Sequence, residues 1–187
     1  MDENNVLVLF SGGLDSTTCI AHYLNQKLSV KALFIDYGQL AATQEYIAAS
    51  IISKYYGISL NTIKCSGFNK FGGGVILGRN AFLLFTALMK SEFKNGIIAI
   101  GIHSGTAYVD CSASFVKYSQ SLFDLYTDGK YIIGTPFVDW NKHDIFKYAN
   151  HLKIPLEMTY SCELGNKQPC GHCLSCKDLE VLYASKE

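Results

Sequence analysis

The chain has 187 residues, near the common size of one domain, and 49% are hydrophobic while only 17% are charged. Sixteen basic residues balance sixteen acidic ones, which argues against a broad nucleic-acid footprint, and the sparse charge leaves surface to be covered by a subunit interface. No stretch approaches the roughly 20 apolar residues of a bilayer span. The acidic start "MDENN" is no secretory signal, so the expected location is the cytoplasm, where seven cysteines point to metal or reactive thiols before disulfides.

Apolar runs alternate with helical patterns along the chain. "NVLVLF" (5–10) reads as a buried strand, "DSTTCIAHYLNQ" (15–26) as a helix and "SVKALFIDY" (29–37) as a second strand. A helix over 43–57 ends at Gly57, and "SLNTIKC" (59–65) is a weaker strand. Residues 68–78 form a glycine-rich loop, and "RNAFLLFTALMKSEF" (79–93) is a strongly apolar helix. Strands over 96–102 and 130–137 alternate with helices over 111–127 and 142–152. Several of these strands lack polar alternation, so the expected fold is α/β: a doubly wound, mostly parallel sheet covered on both faces. No linker splits the chain, which is expected to be a single domain over 1–187 with a cysteine-rich metal segment at about 158–178.

The string "FSGGLDSTT" follows the first strand. Gly12 and Gly13 permit tight turns and let amides approach an anion. Ser11, Ser16 and Thr17 add hydroxyl donors, and the helix beginning near Asp15 offers its positive end. Phe10 and Leu14 flank this cradle. Asp15 cannot donate to phosphate while ionised, so its expected work is holding Mg²⁺ or orienting the loop. The string resembles the PP-loop of the ATP pyrophosphatases, which cleave ATP between its α and β phosphates, and it does not fit the Walker pattern. The second strand ends in "LFIDYGQ", where Phe34, Asp36 and Tyr37 are placed to line an adenosine pocket, with Gln39, Gln44 and Glu45 beyond them.

Near the other end stands Cys162-x₇-Cys170-x₂-Cys173-x₂-Cys176. Four thiolates so spaced, with Pro169 and Gly171 bending the backbone, suit a tetrahedral zinc whose full shell leaves no place for water, hence a structural ion. An iron–sulfur cluster and incidental thiols are the alternatives. His172, inside the motif, is expected to be a solvated side chain; Cys19 and Cys65 are expected to be inert.

Together the two motifs resemble the 7-cyano-7-deazaguanine synthases. "FSGGLDSTTC" is similar to that family's opening loop, "GRN" (78–80) to its middle motif and "YVDC" to its Tyr-Pro-Asp-Cys. "TPF" resembles its Thr-Pro-Leu, "WNKHDI" its Trp-Leu-x-Lys-Ala-Glu, and "TYSCELGNKQPCGHCLSC" its zinc segment. The resemblance implies an adenine-nucleotide α-hydrolase type of sheet, usually dimeric. It also implies a reaction joining 7-carboxy-7-deazaguanine, ammonia and ATP into the nitrile through acyl adenylates. By the same analogy Ser11, Gly12, Gly13, Asp15 and Ser16 hold pyrophosphate and its metal, and Arg79 grips phosphate or the deazapurine. Asn80 and Tyr108 join Arg79 at the substrate, Asp110 receives the guanine-like edge, and Lys142 contacts substrate or phosphate.

The chain also departs from that family. The region between Cys65 and Gly78 is shorter, which abbreviates the expected lid. "GIHSGTAYVDCSASF" is about two residues shorter than the family's Ser-Gly-Tyr-Pro-Asp-Cys-Arg segment; its acid is absent, Val109 replaces Pro and Ser112 replaces Arg. Loss of charged partners from a substrate wall alters what binds, so transfer of the activated acid to a protein amine is an alternative to ammonia. Further alternatives are a tRNA-thiolating PP-loop enzyme, disfavoured by the neutral charge, and a zinc-bearing module regulated by nucleotide.

Overall fold

The computed structural model describes residues 5–68, 71 and 75–184. Five strands, Asn5–Leu9 (β1), Ser29–Asp36 (β2), Leu60–Lys64 (β3), Gly96–Ala99 (β4) and Tyr131–Gly134 (β5), form a sheet in the order β3-β2-β1-β4-β5. Every neighbouring pair is parallel. Helices Leu14–Asn25 (α1), Ala42–Tyr56 (α2), Arg79–Lys90 (α3), Ala113–Thr127 (α4), Lys142–His151 (α5) and Leu174–Ala184 (α6) surround it.

The two-residue period of a strand explains the layering. Val6 and Val8 of β1, with Phe10 just beyond, enter one apolar cluster with Ile20 of α1, Ile52 of α2 and Ile145 of α5. Leu7 and Leu9 point the other way, to Leu84 of α3 and Phe123 of α4. Both faces are therefore buried, and a central strand reads as continuous hydrophobics. Among the described residues, no helix is long and apolar enough to cross a membrane.

The expected elements are present, with boundaries moved by identifiable causes. Gly57 ends α2 in the left-handed conformation at φ 65°. The helix expected over 79–93 stops at Lys90 because Ser91 turns extended and its hydroxyl accepts the Phe93 amide at 3.4 Å. Phe93 then lies under the Lys31 ammonium, 5.2 Å from the ring centre. The strand expected over 130–137 ends at Gly134, ahead of Pro136, which has no amide to give the ladder. The helix expected from 111 begins at Ala113, where the Ser112 side chain caps it by accepting the Phe115 amide at 3.2 Å. The cysteine-rich tail contains a helix, α6, that the sequence pattern did not announce.

Candidate active site

β1 lies between β2 and β4, and the chain leaving β1 enters α1 on one face while the chain leaving β4 leads to α4 on the other. Such a reversal opens a crevice at the carboxyl edge of the sheet. A cavity of about 600 Å³ occupies it.

The 11–16 loop forms its floor. Gly13 is the first cap of α1 without a side-chain hydrogen bond, so the amides of Leu14, Asp15 and Ser16 have no intrahelical acceptor. The hydroxyls of Ser11 and Ser16 lie 3.2 Å apart, and Ser16 also donates to the Gly13 carbonyl at 3.2 Å. These are donors gathered at the positive end of a helix, the arrangement an anion requires. Phe10, Ser11, Gly13, Leu14, Asp15 and Ser16 all line the cavity. Gly12 does not: at φ 77° it turns its α-carbon against α2, where a Cβ would stand 2.6 Å from the Ala49 amide nitrogen. Gly12→Ala should therefore cost on the order of 1–3 kcal/mol, read as a lower urea midpoint. Thr17, expected among the donors, is fully buried behind the loop and its hydroxyl finds no partner.

Asp15 and Lys142 meet in the cavity. A capping box fixes the start of α5: Asn141 accepts the Asp144 amide at 3.0 Å, and Asp144 accepts the Asn141 amide at 3.4 Å. Lys142, the next residue, reaches back so that its Nζ donates to Asp15 Oδ2 at 2.5 Å. Asp15 Oδ1 is buried with no hydrogen-bond partner. An unpartnered buried carboxylate oxygen beside phosphate donors suits a hard cation such as Mg²⁺.

The opposite wall comes from α2, α3 and the end of β2. Arg79 and Asn80 open α3 and line the cavity, as do Phe34, Tyr37, Gln39 and Glu45. Asn80 is an organiser: its Oδ1 accepts from Arg79 Nε at 3.2 Å, and its amide groups donate to the Asp110 carboxylate at 3.2 Å and the Asp110 carbonyl at 2.9 Å. Asp110 is thus committed to the start of α3 and lies outside the cavity lining, whereas Tyr108 is part of it. Asp36, assigned to the nucleotide pocket from sequence, instead accepts the Gly38 amide at 3.0 Å, pairs with Lys64 at 3.9 Å and is outside the lining.

Glu45, which accepts from Gln39 at 2.8 Å, is pushed above its ordinary carboxyl value mainly by burial, against the pull of Gln39 and Arg79. The folded state thus binds this proton more tightly than the unfolded chain, so the group's contribution to stability falls as pH rises above 4.5. Glu45→Gln should remove that loss: the gain in Tm over the wild type should appear at neutral pH and shrink as the medium is acidified.

The fourth wall was not legible as a site. His103 follows β4, and Tyr160, Ser161, Glu163, Ser175 and Asp178 come from the cysteine-rich tail. His103 is 7% exposed, and its imidazole is held below the usual value by burial first, against the Asp15 carboxylate. The sequence signal was its place just past a buried strand, where ligands gather.

The tail folds around its cysteines. The sulfurs of Cys162, Cys170, Cys173 and Cys176 lie within 4.8 Å of one another, those of Cys170 and Cys176 at 3.8 Å. The amides of Cys170 and Cys173 donate to the sulfurs of Cys162 and Cys170 at 3.4 and 3.3 Å, as amides beside thiolate ligands do. Burial pushes the Cys176 thiol up, with the neighbouring sulfurs adding to it, whereas Cys162, against its burial, and Cys170 are held below the ordinary thiol value by hydrogen bonds from backbone amides. The four sulfurs form a group able to hold a metal ion. His172 is exposed and bonded to the Cys170 carbonyl, Cys19 is fully buried, and Cys65 packs beside the second apolar cluster. Positions 69–70 and 72–74 of the shortened 65–78 segment lie outside the described residues.

A parallel sheet with a glycine-serine loop at its switch point and a terminal Cys₄ cluster defines a PP-loop protein. Its fold matches that of the U34-tRNA thiolase NcsA from Methanococcus maripaludis, with a TM-score of 0.58, 18% identity and coverage of 100% of this chain and 66% of that one. It also matches NMN synthetase from Francisella tularensis, with a TM-score of 0.53, 18% identity and coverage of 98% and 77%. The family described as "Queuosine biosynthesis protein QueC" matches residues 5–78 and 74–184, and the chain belongs to it. Among curated relatives, a 7-cyano-7-deazaguanine synthase of Prochlorococcus marinus (strain AS9601) is 30% identical over 98% of this chain and 95% of its own. Another, from strain NATL1A, is 34% identical over 95% and 92%.

Proposed function

We propose that the protein is an ATP-dependent carbon–nitrogen ligase that adenylates 7-carboxy-7-deazaguanine and, with ammonia, converts it to 7-cyano-7-deazaguanine. The observation that carries this reading is the convergence of the 11–16 loop and the Asp15–Lys142 pair in one cavity, in a chain whose family includes named synthases of that product.

A carboxylate is a poor electrophile because its leaving group is bad. Attack by its oxygen on the α-phosphorus of ATP forms an acyl adenylate as the bond to the β-phosphate breaks and pyrophosphate leaves. Ammonia then displaces AMP to give the amide. A second adenylation on the amide oxygen allows that oxygen to leave as AMP, with loss of the N–H protons and formation of the nitrile. In this scheme the first-turn amides of α1, with Ser11 and Ser16, hold the pyrophosphate, and Lys142 offsets charge on the phosphoryl oxygens. Arg79, steadied by Asn80, faces them across the cavity, with Tyr108 beside the deazapurine. Asp15 would hold Mg²⁺, which supplies charge neutralisation of the phosphates. The Cys₄ cluster would hold a structural Zn²⁺, whose bonds of ~2.3 Å suit the 3.8 Å between the sulfurs of Cys170 and Cys176.

Exposed apolar residues on α4, Tyr118 (71%), Leu125 (75%) and Tyr126 (71%), support the homodimer implied by the resemblance. Val109 is 84% exposed and Asp110 is engaged by Asn80. That wall therefore offers few charged contacts, which favours transfer to a larger amine, such as a protein's, as the second reading. Mass spectrometry after incubation with ATP, ammonium and carboxy-deazaguanine tests the first: nitrile supports it, and acyl adenylate with neither amide nor nitrile supports the second.

A further inference from the structure

The geometry points to His103 as a catalytic hydrogen-bond donor, its Nε2–H acting with Lys142 Nζ on one phosphoryl oxygen of the nucleotide; this rests on the adenylation reading above. The tautomer follows from the backbone. His103 Nδ1 accepts the Gly105 amide at 3.1 Å, so that nitrogen carries a lone pair and the ring proton sits on Nε2. Gly105 is required for the approach, because a Cβ there would stand 2.9 Å from Nδ1. The loop is tied down again where Ser104 Oγ donates to the Trp140 carbonyl at 3.0 Å, two residues before Lys142.

The direction of the donor follows from Asp15. Lys142 Nζ at 2.5 Å and His103 Nε2 at 3.9 Å converge on the same atom, Asp15 Oδ2. Both donors line the cavity beside that carboxylate oxygen, where they can be shared with an anionic oxygen placed next to it, and Asp15 belongs to the first turn of α1, whose residues line the same cavity. Asp178 is the other charged group acting on the ring. Two preorganised donors aimed at one developing negative oxygen, in a partly closed site, stabilise it more than water does. Ionisation of the histidine is not needed for this role. A histidine that only fills space would be replaceable by leucine, whereas a donor is replaceable only by another donor.

Nitrogen-15 spectra of the wild-type protein should show the His103 proton on Nε2, and that signal should shift when Mg²⁺ with α,β-methylene-ATP is added. His103→Leu should lower kcat for acid-dependent AMP release roughly 100-fold or more with little change in KM for ATP, and His103→Gln, whose side-chain amide reaches the same region, should recover most of it. A proton on Nδ1, a signal indifferent to the nucleotide analogue, or a folded leucine variant with wild-type kcat would overturn the proposal. If the wild type released no AMP with the acid, the adenylation reading would fail by itself. The spectra would still decide whether His103 meets a phosphate.

Discussion

Replacing Asp15 by asparagine is expected to lower acid-dependent AMP formation by a factor of about 10² to 10³ while the protein still folds. The carboxylate stands at the first turn of α1, takes the Lys142 ammonium at 2.5 Å through Oδ2, and has a buried, unpartnered Oδ1. Asparagine keeps the shape and removes the charge. Lys142 then loses its counter-ion, and the site loses the oxygen best suited to a divalent cation. Lys142→Met should produce a loss of similar size. The double variant should be scarcely worse than either single one, because the two side chains act as a unit. The measurement is pyrophosphate release against carboxy-deazaguanine concentration, with thermal unfolding of each variant as the control. Additive losses would place the two residues in separate roles.

The second large effect concerns the Cys₄ segment. Stripping the metal with a chelator, or replacing Cys170 by serine, should cost on the order of 4 kcal/mol, and for a chain of this length that lowers Tm by roughly 8–16 °C. Activity should fall with it. Tyr160, Ser161 and Glu163 line the cavity from the segment that begins the cluster, and Ser175 and Asp178 line it from α6. The tail is also locked to the loop, since the Tyr160 amide donates to the Gly12 carbonyl at 3.0 Å, and it is tied within itself where Glu163 accepts from Ser175 Oγ at 2.9 Å. Leu182 of α6 meanwhile joins the small apolar cluster containing Leu14 and Phe146. Loss of the ion should therefore disorder one wall of the site. Elemental analysis of the purified protein should find close to one zinc per chain; iron in its place would favour a cluster.

The sheet was legible because β1 over 6–9 and β2 over 32–35 are buried on both faces and read as hydrophobic runs, and because Gly57 ends α2 where a left-handed residue is needed. The 11–16 loop and the cysteines were legible because both consist of consecutive or closely spaced residues whose chemistry needs no partner from elsewhere in the chain. Residues whose roles depend on distant contacts were not. Asp36 and Asp110 looked available in the sequence, yet Gly38 and Asn80 engage them. Thr17 looked like one more donor, yet helical periodicity turns it into the core. His103 carried no motif, and only the fold brings it within 3.9 Å of Asp15, 88 positions away in number. Helix α6 was masked by the cysteines that begin it, whose metal-site pattern outweighs any apolar period.

The central claim is that the cavity makes an acid attack the α-phosphorus of ATP, and oxygen transfer tests it most directly. Carboxy-deazaguanine carrying heavy oxygen in its carboxylate should, when incubated with the protein, ATP and ammonium, yield pyrophosphate together with AMP that has gained one labelled oxygen. Unlabelled AMP, or ADP and inorganic phosphate in place of AMP and pyrophosphate, would contradict it.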